Sequence, residues 1–412
     1  MREQIIAGLD LGTSHVRIAI GQREGGDSNK LQIVGLAEYP AQGISKGLIT
    51  SIEDTVSSIT AAMEHIEKTT GLSISGIFVG ISGNHITSQQ GKGVVAVSRV
   101  NGEIEEEDVA RAIESARSVN LPPNREILHI IPKSFIVDGQ VNIKDPIGMT
   151  GIRLEVETMI IQGSSSQIKN LTKCVYRTGL NIEDLTYSAL AVSEAVLSSK
   201  QKDLGVVVVD IGAATTNLTV FESGELIHGA VLPIGSDYIT ADIAIGLRID
   251  LESAEKIKIN CGYAFSEDID KKEEINLKNF GEENDVFVSK KYIAEIIEAR
   301  VEEIFKKVNA ELKKIDRAGM LPAGVVLTGG GAKLNGIVEQ SKKHLRLPSR
   351  LGKVDKVTTV LDKAGDPAFC TAIGLILWGN QIMDINKEKR WDFGGVKEAL
   401  FKFRNWVKHL KP

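Results

Sequence analysis

One short pattern occurs twice in the chain. An apolar, largely β-branched run ends in an aspartate, followed by one apolar residue, a glycine and a cluster of small and hydroxyl residues. It stands near the start as Ile5-Ile6-Ala7-Gly8-Leu9-Asp10-Leu11-Gly12-Thr13-Ser14. It returns mid-chain as Val207-Val208-Val209-Asp210-Ile211-Gly212-Ala213-Ala214-Thr215-Thr216. Each copy reads as a buried strand that turns sharply at a carboxylate. Gly12 and Gly212 let the backbone approach a phosphate closely. The amides and hydroxyls of Gly12, Thr13 and Ser14, and of Gly212, Ala213, Thr215 and Thr216, are suited to cradle phosphate oxygens. Asp10 and Asp210, one at each strand end, are suited to a hydrated magnesium ion. The repeat suggests a duplicated phosphate-binding hairpin.

The bulk numbers fit that expectation. The chain has 412 residues, enough for two or three domains with sizeable cores. Its net charge of -5 argues against a nucleic-acid partner and leaves polyanion or membrane contact to a local basic patch. Cys174, Cys261 and Cys370 are far apart in sequence and read as reduced core thiols. No secretory leader pattern opens the chain, and no apolar run is long enough to span a bilayer.

Taken in order, Ile5–Leu9 and Val16–Ile20 form a hairpin, and Leu31–Leu36 a further strand. Ser51 caps a helix carrying Ile52, Val56, Ile59, Met63 and Ile66 at helical spacing, and Gly76–Ile81 is the next strand. From about Gly83 to Ile161 the texture changes. Pro122, Pro123, Pro132 and Pro146 fall there, with one helix over Glu105–Val119 and strands near Val94–Val97, Ile127–Val137 and Ile152–Ile161. This reads as a small inserted α+β module. A helix over Ser164–Thr178, a strand over Asn181–Thr186 and a helix over Ala189–Ser199 lead to the second hairpin. Asp237–Lys258 reads as two helices broken near Gly246, Arg248 and Asp250, and Lys271–Asn284 as a charged surface loop. Ser289–Lys314 is a long helix, Gly324–Leu327 a strand, and Pro367–Gln381 an apolar helix. Asn386–Gly395 is a polar linker.

The strand at Gly324–Leu327 is followed by Thr328-Gly329-Gly330-Gly331-Ala332, a turn without bulky side chains that suits an adenine or an α-phosphate. With two phosphate hairpins and this third turn, the chain resembles the actin and heat-shock ATPase superfamily. The resemblance implies an α/β fold, two lobes of duplicated ribonuclease-H-like domains around a nucleotide cleft, with ATP and Mg2+ as ligands. Phosphate motifs then fall at Asp10–Ser14 and Asp210–Thr216, and an adenosine motif at Gly329, Gly330, Gly331 and Ala332. Connecting helices fall at Ala189–Leu197 and Ala368–Leu377. Glu255 and Lys258, one helical turn apart, match the superfamily's clamp on ribose and adenine. Read from the residues alone, they equally suit a solvent-exposed ion pair.

Within the superfamily, nearly the whole chain is similar to the FtsA family of bacterial cell-division proteins. The family pattern implies a first-lobe core over 1–82, the inserted module over 83–162, and first-lobe core again over 163–203. The second-lobe core then covers 204–228, an outer subdomain 229–289, and second-lobe core 290–364. A closing first-lobe helix covers 365–385, a linker 386–395, and a terminal helix 396–412. It also implies a polymer of the chain with itself, docking of the FtsZ C-terminal peptide on the outer second lobe, and recruitment of later division proteins. These expectations place the protein on the cytoplasmic face of the membrane at the division septum.

The tail carries its own signal. On a helical wheel Val396, Leu400, Phe403, Trp406, Val407 and Leu410 share an arc, with Lys397, Lys402, Arg404, Lys408 and Lys411 on the flanks and opposite side. An aromatic-aliphatic face with a basic one fits an anchor on anionic lipid; a terminal helix docked on the protein's own core is the alternative. Hydrolysis is expected to be slow. Thr186-Tyr187-Ser188-Ala189-Leu190 opens the first connecting helix without a carboxylate, and Glu194 comes two turns later. Two other readings share the core: a sugar-kinase-type phosphotransferase, and a PilM-like pilus-assembly ATPase without the terminal anchor.

Overall fold

The computed structural model describes residues 5–23, 31–98, 101–118 and 121–388. The predicted terminal helix at 396–412 lies outside the described residues, as does most of the predicted linker at 386–395.

The two hairpins seed two sheets of the same design. In the first, strand Ile5–Leu11 runs antiparallel to His15–Arg23, which pairs antiparallel with Leu31–Pro40. On the other side Ile5–Leu11 runs parallel to Gly76–Ile81, which runs parallel to Asn181–Tyr187. In the second sheet, Val206–Ile211, Thr216–Glu222 and Glu225–Leu232 form the antiparallel meander. Gly324–Thr328 and then Ser349–Leu351 continue it in parallel. The central strands are uniformly apolar because helices cover both faces, so alternation is lost and every position is buried.

Helix Ile52–Thr70 packs on the first sheet. Ser51 Oγ accepts the Asp54 amide at its start, and Gly71, at φ 71°, ends it. Helix Cys370–Glu388 packs against strand Ile5–Leu11 and crosses helix Ser188–Val196, which also meets strands Val206–Ile211 and Thr216–Glu222 of the second sheet. Helix Lys290–Lys314 lays Ile293, Ile297, Val301, Ile304, Val308 and Leu312 into the core of the second sheet.

Residues 87–164 build a third sheet in the order Thr87–Ala96, Arg153–Ser164, Arg125–Val137, Gln140–Ile143. Helix Glu106–Ser115 covers it, and its core of Ile104, Val109, Ile113, Phe135, Leu154 and Val156 is separate from the other two. This sheet also touches the second lobe. Ser88 Oγ donates to the Gly229 carbonyl (2.7 Å), and Lys144 Nζ to that of Ser223 (2.6 Å).

Several expectations need correction. Ala189–Ser199 is not one helix: it ends at Val196, Leu197 is extended, and Ser198 caps a new helix over Ser199–Leu204 through a capping box with Gln201. The charged stretch 271–284 is not all loop, because Glu274–Asn276 pairs with Phe287–Ser289. The inserted strand expected from Val94 starts at Thr87; its polar half lacks the apolar signal of a strand. The short strand Gln140–Ile143 was not foreseen, being mostly exposed. The last helix runs to Glu388, into the expected linker. Thr358–Thr359 pairs with the first sheet, so the chain has left the second lobe before residue 364. Cys174 and Cys370 are buried, but Cys261 is only half-buried.

Candidate functional site

The two Asp-x-Gly turns are closed by the same backbone bond. The Gly12 amide donates to the His15 carbonyl (3.1 Å), and the Gly212 amide to that of Thr215 (2.9 Å). A Cβ on Gly12 would lie 2.7 Å from His15 O, and one on Gly212 3.0 Å from Thr215 O. Each turn therefore needs its glycine for its own closure, before any ligand is considered. Both turns line one cleft of about 370 Å³. Its lining brings together Asp10, Gly12, Thr13 and Ser14 from the first lobe with Asp210, Gly212, Ala213 and Thr215 from the second. Gly329, Gly330 and Gly331 close one side.

Asp210 is buried, and both its oxygens accept hydrogen bonds, Oδ2 from Asn217 Nδ2 (3.1 Å) and Oδ1 from Thr328 Oγ1 (3.3 Å). Burial raises its pKa above the ordinary aspartate value, against the pull of those two bonds. Asp10 is pushed up to about 7, chiefly by desolvation; Arg17 works against this and Asp210 adds to it. Two carboxylates that resist charging in one cleft form a site that a cation would stabilise. Among the described residues no three His, Cys, Asp or Glu side chains cluster as a metal cage. Two carboxylates with phosphate oxygens and water is the usual way a protein holds magnesium.

Glu255 and Lys258 are brought into the cleft. Their ion pair measures 2.6 Å, and Lys258 Nζ also donates to Thr240 Oγ1 (2.8 Å). The Lys258 side chain is only 10% exposed while that of Glu255 is 42% exposed, so the pair is anchored at its lysine end and open to solvent at its glutamate end. Gly329, at φ 84°, sits where a Cβ would lie 2.5 Å from Asp210 Oδ1. A Cβ on Gly330 would meet nothing and point into open space.

Two expected site residues do not line the cleft. Thr216 is fully buried and its Oγ1 donates to the Ile234 carbonyl (2.8 Å), because it has already entered the return strand. Ala332 is buried behind the glycine turn. Glu194 is buried in an ion pair with Lys202 and is not part of the lining. The cleft also holds side chains that were not foreseen: Ser82, Ser188, Arg17, Asn217 and Lys333, which pairs with Asp366 (2.7 Å). Arg17 and Asn217 were legible in the duplication itself. Arg17 pairs across the strands with Asp10, and Asn217 with Asp210, at the same place in each hairpin.

Comparison with known proteins decides the family. The chain is 38% identical to Cell division protein FtsA of Neisseria meningitidis serogroup B over 99% of both chains. The chain belongs to the FtsA family. FtsA of Bacillus subtilis is 38% identical over 90% of this chain and 83% of its own, and that of Escherichia coli K12 30% identical over 99% and 96%. The family description "Cell division protein FtsA" matches residues 207–374, and "SHS2 domain inserted in FTSA" matches residues 83–162.

Solved structures show the same fold beyond the FtsA family. The PilM-PilN type IV pilus biogenesis complex aligns with TM-score 0.66 at 17% identity, over 91% of this chain and 98% of that one. MreB5 of Spiroplasma citri bound to ADP aligns with TM-score 0.56 at 12% identity, over 94% and 99%. The fold is that of the actin-like ATPases, with an SHS2 module inserted.

Proposed function

We propose that this cell-division protein binds ATP with Mg2+ in the cleft between its lobes, polymerises on the cytoplasmic face of the membrane at the septum, and tethers FtsZ filaments there. The observation that carries the reading is the cleft itself. Two carboxylate-glycine turns, one from each lobe, line it together with a glycine-rich third turn. Asp10 and Asp210 would hold the metal, directly or through water. Gly12, Thr13, Ser14, Gly212, Ala213 and Thr215 would surround the phosphates. Glu255 and Lys258 would meet the ribose, and Gly329, Gly330 and Gly331 would lie against the base or α-phosphate.

Bound nucleotide with magnesium supplies negative charge and a bridging cation between the lobes. The chain's own residues supply little for hydrolysis. The first connecting helix opens at Ser188, and Glu194 is committed to Lys202. A hydroxyl without a base partner does not activate water near neutral pH. Nucleotide then serves mainly to favour the closed arrangement of lobes over the open one.

The remaining parts come from family membership and from the sequence of the tail. Residues 229–289 would receive the FtsZ C-terminal peptide, and the inserted module would meet other copies or later division proteins. The basic, aromatic helix at 396–412 would bind anionic lipid reversibly, so that a polymer holds the membrane more firmly than a single chain. Co-sedimentation with anionic liposomes tests this, comparing the full chain with one ending at Gly395, with and without ATP and Mg2+. The full chain alone should sediment, more so with ATP and Mg2+. If both chains remain in the supernatant, the anchored-adaptor reading is wrong.

A further inference from the structure

The side chain opposite Asp210 is held from both lobes at once. Asn217 stands directly across from Asp210 in the antiparallel pair, and its Nδ2 donates to Asp210 Oδ2 (3.1 Å). Its Oδ1 accepts from Ser82 Oγ (2.6 Å). Ser82 belongs to the other lobe. It comes directly after strand Gly76–Ile81 of the first sheet and precedes Gly83, where the chain turns at φ 131° toward the inserted sheet. Asn217 is buried, at 5% exposure, so its amide has little water to fall back on.

The chemistry of these three groups fixes the direction of each bond. A carboxylate only accepts, so the Asn217 group facing Asp210 must be the NH2. The amide oxygen must then face Ser82, whose hydroxyl can donate to it. Asp210 thus selects the amide orientation, and the Ser82 hydroxyl, which can donate or accept, donates to the oxygen left over. Thr328 Oγ1 holds the other Asp210 oxygen (3.3 Å), so the carboxylate plane is pinned at both ends. In the first lobe the equivalent place opposite Asp10 is taken by Arg17, whose charge needs no such orientation. The second lobe uses a neutral amide, whose far end is held from the other lobe by Ser82.

We infer that Asn217 is a positioning residue for the Asp210 carboxylate, and that Ser82 makes this positioning depend on how the two lobes sit against each other. The inference rests on the proposal that Asp210 faces a magnesium-nucleotide complex. Separation of the lobes removes Ser82 from Asn217, and Asp210 loses its fixed orientation toward the cleft. Strand Thr216–Glu222, which carries Asn217, pairs with Glu225–Leu232. Ser88 of the inserted sheet bonds to that second strand at Gly229. The inserted module and the metal side of the cleft therefore share one hairpin.

The test is the gain in affinity that Mg2+ gives to a fluorescent ATP derivative, measured on the full chain with Mg2+ and with excess EDTA. Asn217→Ala should lose about tenfold of the metal-dependent gain, the worth of one hydrogen bond to a charged group, and Ser82→Ala, which removes a bond between neutral groups, about three- to fivefold. Any loss of affinity in EDTA should be smaller than the loss of the metal-dependent gain. Ser82→Thr, which keeps the hydroxyl, should restore most of the gain. Ser82→Ala is the decisive variant if Asn217→Ala does not fold. A lower melting temperature with an unaltered metal-dependent gain in Ser82→Ala means that the contact only packs, and overturns the inference while leaving the nucleotide reading intact. Absence of binding by the wild-type chain overturns both.

Discussion

Gly374 and Ala191 touch backbone to backbone: a Cβ built on Gly374 would collide with the Ala191 carbonyl oxygen. This is where the two helices beside the first sheet cross, and no side chain fits between them. Gly374→Val must push these helices apart or distort them, at a cost of about 1–3 kcal/mol or more. Urea denaturation should show a lower midpoint at similar slope. Gly365→Ala, where a Cβ meets nothing, should leave the midpoint in place. Equal midpoints for the two variants would show that the crossing yields without cost.

The glycine turn offers a second contrast. Gly329→Ala forces a side chain into a positive φ and onto Asp210 Oδ1, so it should impair both stability and nucleotide binding. Gly330→Ala meets nothing and keeps an ordinary φ, so its stability should stay within about 0.5 kcal/mol of wild type. Its methyl group projects into open space beside the cleft, and nucleotide affinity should fall on that account alone. Fluorescence titration with an ATP derivative, paired with thermal melts, separates the two. Unchanged affinity in Gly330→Ala would remove this turn from the binding site.

The duplicated hairpins carried the two-lobed design because a buried strand ending in Asp-x-Gly leaves the backbone few ways to turn and return. The same run gave no sign that Thr216 had already turned inward, since a hydroxyl serves a ligand or the Ile234 carbonyl equally well. Ser82 could not be found from sequence at all. Its role comes from Asn217, on a different sheet and far away along the chain. The break at Leu197 was hidden for a local reason. The apolar run continues through it, and only the Ser198–Gln201 capping box marks the restart. The spacing of Glu255 and Lys258 could not show that helix Asp237–Leu247 lies against them, where Thr240 bonds to both.

Glu194 and Lys202 form a buried ion pair, with the more exposed Lys356 beside it. Glu194 pairs with Lys202, lies 4.0 Å from Lys356, and accepts from Gln381 Nε2 (3.4 Å). It joins the first connecting helix to the helix after it, to the segment returning from the second sheet and to the last helix. Lys202→Met removes the buried cation paired with Glu194 and should cost about 3–5 kcal/mol. Glu194→Leu with Lys202→Met removes both charges and should recover most of that loss. Chemical denaturation of the single and double variants gives the comparison. A double variant as unstable as the single one would mean that packing, not charge, sets the cost.

His85 should give the protein an acid-sensitive step. It sits where the inserted sheet leaves the first lobe: its Nδ1 accepts the Ser164 amide (3.3 Å), and Arg125 bonds to its carbonyl (3.2 Å). Burial, helped by the Arg125 charge, lowers its pKa from 6.5 to about 4. The folded state thus binds fewer protons than the unfolded chain between those values. The contribution to stability is fully present above pH 6.5 and is lost as pH falls toward 4. Protonation takes the acceptor from Ser164 and places a cation beside Arg125. Melting temperatures measured from pH 7.5 to 4.5 should therefore decline more steeply in wild type than in His85→Asn, whose amide oxygen can accept the same bond without titrating. Parallel declines would show that His85 titrates alike in the folded and the unfolded chain.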